Sequence, residues 1–372
     1  MPENTNPPPV AQFPPTGQSA AGMPPQPQPP VYIQQQAPRR SSCLGRLGLA
    51  IMVVIFLGSL VMNFLLLGIV GQRAGRALTQ TVLAEGDPKN VVAVYPINGL
   101  IDDRASQDLA AFCKEIENDD AVKAVVLRVD SPGGGVTQAN QMHEKIVKLK
   151  NKKPVIVSMG GVAASGGYYI SAPADEIIAE PTTITGSIGV LMTWVVVREG
   201  LSKIGVEPIV LKSTHADRWK DELSIFDEPT QRQREHLQLI LDSMQGMFEQ
   251  VVRDGRGEKL KTRESSYTST APTSNATQAI TVSETEPFNG KIYLAQDALH
   301  LGLIDEIGFQ DKAIANAKAR IRVENAKVVQ YAPHRGLFEK LFEGKANLGV
   351  NIEAKTLDEL QTPRMQMLWR GQ

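Results

Sequence analysis

Residues 160–171 read Gly-Gly-Val-Ala-Ala-Ser-Gly-Gly-Tyr-Tyr-Ile-Ser, and they constrain the fold more than any other stretch. An apolar, strand-like run, Pro154 to Met159, leads in, and a helix-compatible run, Tyr168 to Ala172, leads out. Glycine supplies the backbone freedom that a tight strand-to-helix turn needs, and such a turn pushes the hydroxyl of Ser165 out of the fold. The amides of the following helix would point at an anion formed beside Ser165. Small neighbours let a second backbone come close. Ser165 is therefore a candidate nucleophile. Close packing between a strand and a helix accounts for the same small residues equally well.

A second glycine cluster favours chemistry over packing. The run Ala124 to Val129 has a buried-strand pattern and ends at Ser131-Pro132-Gly133-Gly134-Gly135; a helical pattern resumes from Thr137 to Lys150. Glycines at a strand end leave backbone N–H groups able to hold an oxyanion when they lie near a nucleophile. A phosphate loop would end in Gly-Lys-Ser/Thr, whereas these glycines run into Val136-Thr137.

Strand-like and helical patterns alternate from Val91 onward. Val91–Ile97, Ala124–Val129, Pro154–Met159, Glu176–Ala179 and Pro208–Leu211 read as strands; Asp103–Glu117 and Gln138–Lys150 read as helices. This alternation predicts an α/β fold with a largely buried sheet. Thr230 to Arg253 predicts a long helix, with an apolar stripe at Leu237, Ile240, Leu241, Met244, Met247, Phe248, Val251 and Val252. Residues 264–286 are rich in Ser and Thr without periodicity and are expected to form a flexible inserted loop.

Three segments, Asp130-Ser-Pro-Gly-Gly-Gly, Ala163-Ala-Ser-Gly-Gly-Tyr-Tyr and Thr185-Gly-Ser-Ile-Gly-Val, resemble in type, order and spacing the signal peptide peptidase A family. These are membrane-bound serine peptidases of the Clp/crotonase superfamily. The likeness runs from about Val91 to Gln330. It implies a Clp/crotonase-like spiral of β-β-α units and a peptidase domain over 91–332. It also implies peptide substrates, including released signal peptides, and a ring-shaped homo-oligomer. The oxyanion donors would be the amides of Gly134 and Gly166.

The resemblance also frames the search for a base. In Clp-type relatives a histidine follows the serine by about one strand and one turn, near Val190 here. No histidine lies there; the five are His143, His215, His236, His300 and His334. A Ser-Lys dyad is expected instead, with a lysine kept neutral by desolvation. The family places its base shortly after a Lys-Ser pair and directly before an acidic residue. Lys220-Asp221, with Lys212-Ser213 upstream, fits that pattern, and Trp219 is placed to exclude water from the amine. Lys212 is the alternative base. Ser187 corresponds to the family's serine that orients the lysine, though a turn serine bonding its own backbone is nearly as good a reading. One protomer's Ser165 is expected to work with the Lys220 of the next.

Residues 47–70 form a charge-free run of 24 residues. At about 1.5 Å per residue it can cross a hydrocarbon core of about 30 Å. It begins too far from Met1, and is too long, for a cleaved signal core, so one uncleaved membrane span is expected. Arg39, Arg40 and Arg46 precede it and Arg73 and Arg76 follow, which puts the N-terminal tail in the cytoplasm and the peptidase outside. Residues 1–46 are expected to be a disordered Pro/Gln-rich tail, since positions 1–38 hold half of the chain's 24 prolines. Residues 71–90 are expected to be a linker and 333–372 a tail. Within that tail Leu337, Leu341 and Phe342 predict a short amphipathic helix, and Met365–Gln372 is apolar enough to dock on a surface.

A formal net charge of −1 argues against nucleic acid as a partner. No His-Glu-x-x-His, paired-cysteine or dinucleotide motif occurs, so neither metal nor other cofactor is expected. Cys43 and Cys113 make no disulfide framework, and Cys113 falls on an amphipathic helix as a core residue. Two other classes compete with a peptidase. A catalytically silent membrane scaffold would need no base lysine. A crotonase-like acyl-coenzyme A enzyme would need neither an anchor nor a serine at the turn.

Overall fold

A computed structural model of the chain describes residues 43–73, 78–273, 276–333 and 365–368. The chain divides into two units, 1–65 and 66–372. Helix α1 covers Cys43–Arg73 and carries no acidic residue in its first turn. Its side chains are described over 48–63, and Leu49, Ile51, Met52, Val54, Ile55 and Phe56 are among those exposed. Among the described residues no helix is long and apolar enough to cross a membrane.

The second unit is built on a nine-stranded sheet. Strands β1 (Leu78–Ala84) and β2 (Asp87–Asn98) precede α2 (Asp103–Glu117); β3 (Val122–Ser131) and the short β4 (Gly133–Gly135) precede α3 (Val136–Lys150). Then follow β5 (Val155–Ala164), α4 (Gly166–Ser171), β6 (Glu176–Ala179), β7 (Ile184–Gly186), β8 (Leu191–Met192), α5 (Arg198–Lys203) and α6 (Gln231–Arg256). After these come β9 (Arg263–Thr273), β10 (Ala276–Glu286), β11 (Ile292–Leu294), α7 (Ala295–His300), β12 (Glu306–Ile307), α8 (Gln310–Ile321), β13 (Ala326–Pro333) and β14 (Met365–Leu368). The sheet order is β1-β13-β2-β3-β5-β6-β12, with β7 on β5 and β11 on β7. From β13 to β12 neighbours are parallel, while β1 and β11 join antiparallel.

Side chains alternate across a strand, so the two faces of β2, β3 and β5 build two cores. Ala93, Tyr95, Val125, Leu127, Val129, Val157 and Met159 face the larger one, with Phe112 of α2, Met142 of α3, Tyr168 of α4 and Phe248 of α6. Val92, Val94, Ala124, Val126 and Ile156 face the smaller one, covered by Ala313 and Ala317 of α8. Both faces of the parallel strands are buried, which is why they read as continuous apolar runs rather than alternation. Cys113 sits in the larger core, where burial pushes its thiol up to about 12.

The predicted helices hold closely. Asp102 caps α2 by accepting the Ala105 N–H. Thr230 and Gln233 form a reciprocal capping box on α6. Leu237, Phe248 and Val252 of the predicted stripe are buried, whereas Met247 is exposed.

Three expectations need correction. Residues 78–90, read as linker, contain β1 and the start of β2; β1 pairs through its backbone with β13 and exposes both faces, so it leaves no apolar signature. Pro208–Leu211 is not a strand: no neighbour pairs with it, and Ile209 and Leu211 are 83% and 92% exposed. Residues 264–286 are not an unstructured loop but most of the β9–β10 ribbon, paired in register from Arg263↔Glu286 to Thr273↔Ala276. Its Thr, Val, Ile and Tyr content favours extended backbone. The expected helix around Leu337, Leu341 and Phe342, and residues 1–42 of the tail, lie outside the described residues.

Candidate active site

Ser165 ends β5 and caps α4, with φ 53° and ψ −118°. A non-glycine residue there costs on the order of 1–3 kcal/mol and persists only where its surroundings hold it. Several contacts do so. The Ser165 N–H donates to Gly186 O at 2.8 Å, and its carbonyl accepts the Tyr169 N–H at 2.9 Å. Thr185 Oγ1 donates to Ala163 O at 2.6 Å, and Ala163 and Ala164 pair with Thr185 and Gly186. Ser165 is 1% exposed, and its Oγ has no hydrogen-bond partner among the described residues. A buried hydroxyl left unpaired costs about 1–3 kcal/mol. The turn thus places an uncommitted hydroxyl at the head of a helix whose first amides lack intrahelical acceptors.

The glycine cluster is a strand rather than a plain turn. Gly133–Gly135 forms β4, held on one side by Ile101: the Ile101 N–H donates to Gly133 O and the Gly135 N–H to Ile101 O, both at 2.9 Å. A Cβ on Gly134 would fall 2.1 Å from the Ile101 carbonyl oxygen, so only glycine fits. Ser131 joins this strand to the turn that carries Ser165. Its Oγ accepts the Gly133 N–H at 3.1 Å, and its carbonyl lies where a Cβ on Gly167 would come within 2.6 Å. Glycine at 167 therefore lets the first turn of α4 press against the end of β3. Ser131 and Gly167 were legible as parts of their motifs, but their bracing roles were not, because those roles depend on contacts between distant segments.

Neither candidate lysine is hydrogen-bonded to Ser165 in the single chain. Lys212 Nζ pairs with Asp221 Oδ2 at 2.7 Å, and that hydrogen bond holds the Asp221 carboxyl below its usual value. Lys220 is exposed on a run of turns, its N–H donating to Ala216 O at 3.0 Å. Trp219 packs against Arg232 and edge-on against His236, and is itself part-exposed. Ser187 has φ 49°, and its N–H donates to Lys291 O at 2.7 Å, which fixes the turn after β7. His143 meets Tyr169 of α4 edge-on; burial pushes its imidazole below the ordinary value, and its Nδ1 has no hydrogen-bond partner among the described residues.

Strand β14 completes the site region. It lies between β4 and β8 and runs antiparallel to both. Its Cα atoms come within 8 Å of α3 and of α4, the helix that Ser165 caps.

Two family models match the chain: Clp protease over residues 93–183 and Peptidase family S49 over 147–273. The second covers Ser165 and both lysines. Fold and site together thus define a serine peptidase of the α/β class. A protein of Enterococcus faecium provisionally named signal peptide peptidase SppA is 30% identical over 266 residues, spanning 68% of this chain and 70% of its own length. At that extent the chain belongs to peptidase family S49. A protein of Methanocaldococcus jannaschii, provisionally named as a protease, is 34% identical over 226 residues, which are 60% of this chain and 65% of that protein. The chain thus spans about two thirds of these relatives. Among solved structures, a mutant of the 1510-N membrane-bound stomatin-specific protease with a substrate peptide aligns at 17% identity and a TM-score of 0.38. That alignment covers 70% of this chain and 99% of the other.

Proposed function

We propose that the protein is a membrane-anchored serine endopeptidase that cleaves extended apolar peptides, released signal peptides among them, with a Ser165–Lys220 dyad. The observation that carries this reading is Ser165 itself: a strained, buried serine whose Oγ has no partner among the described residues, at the head of α4. Ser165 Oγ attacks the scissile carbonyl while Lys220 takes its proton. The tetrahedral oxyanion is held by the amides of Gly134 and Gly166. The lysine then returns the proton to the leaving amine, and water releases the acyl group from Ser165 by the same route. Ser187 orients the lysine.

Lys220 is exposed in the single chain, which supports a base delivered to Ser165 of a neighbouring copy in a closed ring. In the sequence, the charge-free run 47–70 supports a single-span anchor. The arginines before it support a cytoplasmic tail and an extracytoplasmic peptidase.

The test is cleavage of an unstructured apolar peptide by the wild type and by Ser165→Ala. The substitution removes one hydroxyl, so the fold should survive, and activity should fall by at least about 10⁴-fold. Turnover near that of the wild type would remove Ser165 from the mechanism.

A further inference from the structure

Two serines of the site region hold backbone angles that favour glycine, Ser165 at φ 53° and Ser187 at φ 49°. Each donates its N–H to the next segment along. The Ser165 N–H reaches Gly186 O at 2.8 Å, and the Ser187 N–H reaches Lys291 O at 2.7 Å. The ladder behind them runs β5-β7-β11, with Ala163 opposite Thr185 and Thr185 opposite Tyr293. The spacing of the two serines therefore depends on how β11 holds Gly186 and Ser187. Yet β11 is only three residues long and ends this branch of the sheet. A strand that short relies on side chains to keep its register.

Tyr293 supplies that hold. Its ring lies against Gly186: a Cβ at 186 would fall 2.6 Å from Tyr293 Cδ2 and 3.1 Å from Cε2. Gly186 also has φ 80°, so both its angle and the ring call for glycine. An aromatic ring over a cross-strand glycine pins the register of the pair. The ring is itself tethered. Tyr293 is buried, and its hydroxyl donates to Asn289 Oδ1 at 3.1 Å. Asn289 Nδ2 donates to Glu284 Oε2 at 2.9 Å, and the Lys291 amine pairs with Glu284 and Glu286 at 3.3 and 3.1 Å. Glu286 is buried and also accepts from Arg263 Nε at 2.9 Å. Side chains thus tie residues 289–293 to the end of β10, while their backbone holds the turn between the two serines.

We propose that Tyr293 is a positioning residue for the peptidase reaction: its ring, pressed on Gly186 and tethered to Asn289, sets the backbones of Ser165 and Ser187 relative to each other. This rests on the peptidase reading above. Tyr293 touches no reacting atom. It acts through Gly186 on the serine that attacks, and through the turn at 186–187 on the serine that orients the lysine. A misplacement of about 1 Å is enough to cost about 100-fold in rate. The loss falls on kcat, because binding of the peptide does not need the two serines in register.

Four chains test this: the wild type, Tyr293→Phe, Tyr293→Met and Tyr293→Leu. The first variant keeps the ring on Gly186 and loses only the hydroxyl. The other two fill the space without a flat, rigid face. One readout is cleavage of a short apolar peptide, with kcat taken per folded chain. Tyr293→Phe should stay within about 3-fold of the wild type. Tyr293→Met and Tyr293→Leu should lose about 100-fold in kcat, with KM changed by less than about 2-fold. The second readout needs no catalysis. The amides of Ser165 and Ser187 should exchange hydrogen at least about 10-fold faster in the two ring-less variants, and at the wild-type rate in Tyr293→Phe. Amides of β3 are the control for folding, and a ring-less variant that keeps them protected decides the test. Unchanged exchange at 165 and 187 in that variant would overturn the inference. So would an unchanged kcat per folded chain, or a Tyr293→Phe chain as slow as the ring-less ones. A wild type that never cleaves, with the exchange difference present, would contradict the peptidase reading and leave the hold of Tyr293 on the turn standing.

Discussion

Lys212 Nζ lies 2.7 Å from Asp221 Oδ2, so this lysine is tied to a carboxylate that directly follows the other candidate base. That hydrogen bond commits the Lys212 amine to the loop itself. Asp221 also accepts from Gln233 Nε2 at 3.4 Å, which connects the loop to the start of α6. Lys212 thus braces the loop that carries Lys220. Lys220→Ala should reduce the rate by about 10³-fold, within the usual range for loss of a general base. Lys212→Ala should cost far less. A dead Lys212→Ala with an active Lys220→Ala would exchange the two roles. Equal co-assembly of Ser165→Ala with Lys220→Ala extends the test. Sites shared between neighbours should restore about a quarter of the interfaces by random placement. A well-assembled mixture without activity would mean that each protomer builds its own site.

Arg256 closes α6 with a side chain that is 0% exposed, and it donates to Asp305 through both terminal nitrogens, at 2.8 and 3.1 Å. Asp305 also accepts the Ile177 N–H at 2.8 Å. Burial alone would push the Asp305 carboxyl up, but Arg256, with help from Lys259 and the Ile177 amide, holds it below its ordinary value. A carboxyl lower in the folded than in the unfolded chain adds stability above the unfolded value of about 3.9. That stability disappears as the pH falls through the lower, folded value. Asp305→Asn leaves Arg256 buried without its counter-charge and should cost about 3–5 kcal/mol at neutral pH. The difference from the wild type should shrink under strong acid. Urea unfolding from pH 7 down to pH 2 measures this. A constant difference across that range would exclude the ion pair as the cause.

The β9–β10 ribbon supplies a marker for orientation. Protease added outside spheroplasts should cut near Ser274 and spare the proline-rich tail. Digestion of the tail with a protected ribbon would put the peptidase domain in the cytoplasm and remove released signal peptides from its substrates.

How much of this could be read from the sequence follows from where the information lies. The parallel strands β2, β3, β5 and β6 were legible because burial on both faces makes each a continuous apolar run. Helix α6 was legible from its stripe and its Thr230 start. Ser165 and the glycines were legible because special backbone conformations demand particular residues. By contrast, β1 has no buried face, and β9 and β10 pair with each other over a stretch that carries no apolar period. Pro208–Leu211 has a strand-like composition but no strand partner among the described residues. The match of Met365–Leu368 to β4 and β8 depends on contacts across more than 170 positions of sequence, which no local pattern encodes. The bracing of Ser165 by Gly186 and of β4 by Ser131 was hidden for the same reason.

The most direct test of the central claim is labelling of the folded chain with a serine-directed phosphonate, with the adduct mapped by mass spectrometry. Phosphonates react with serines whose oxygen is activated as a nucleophile, whether or not the right peptide is known. The account predicts one dominant adduct, on Ser165, strongly reduced by Lys220→Ala and absent in Ser165→Ala. Folded, assembled protein that takes no label at Ser165, or takes it equally with Lys220 removed, would contradict a Ser165–Lys220 peptidase.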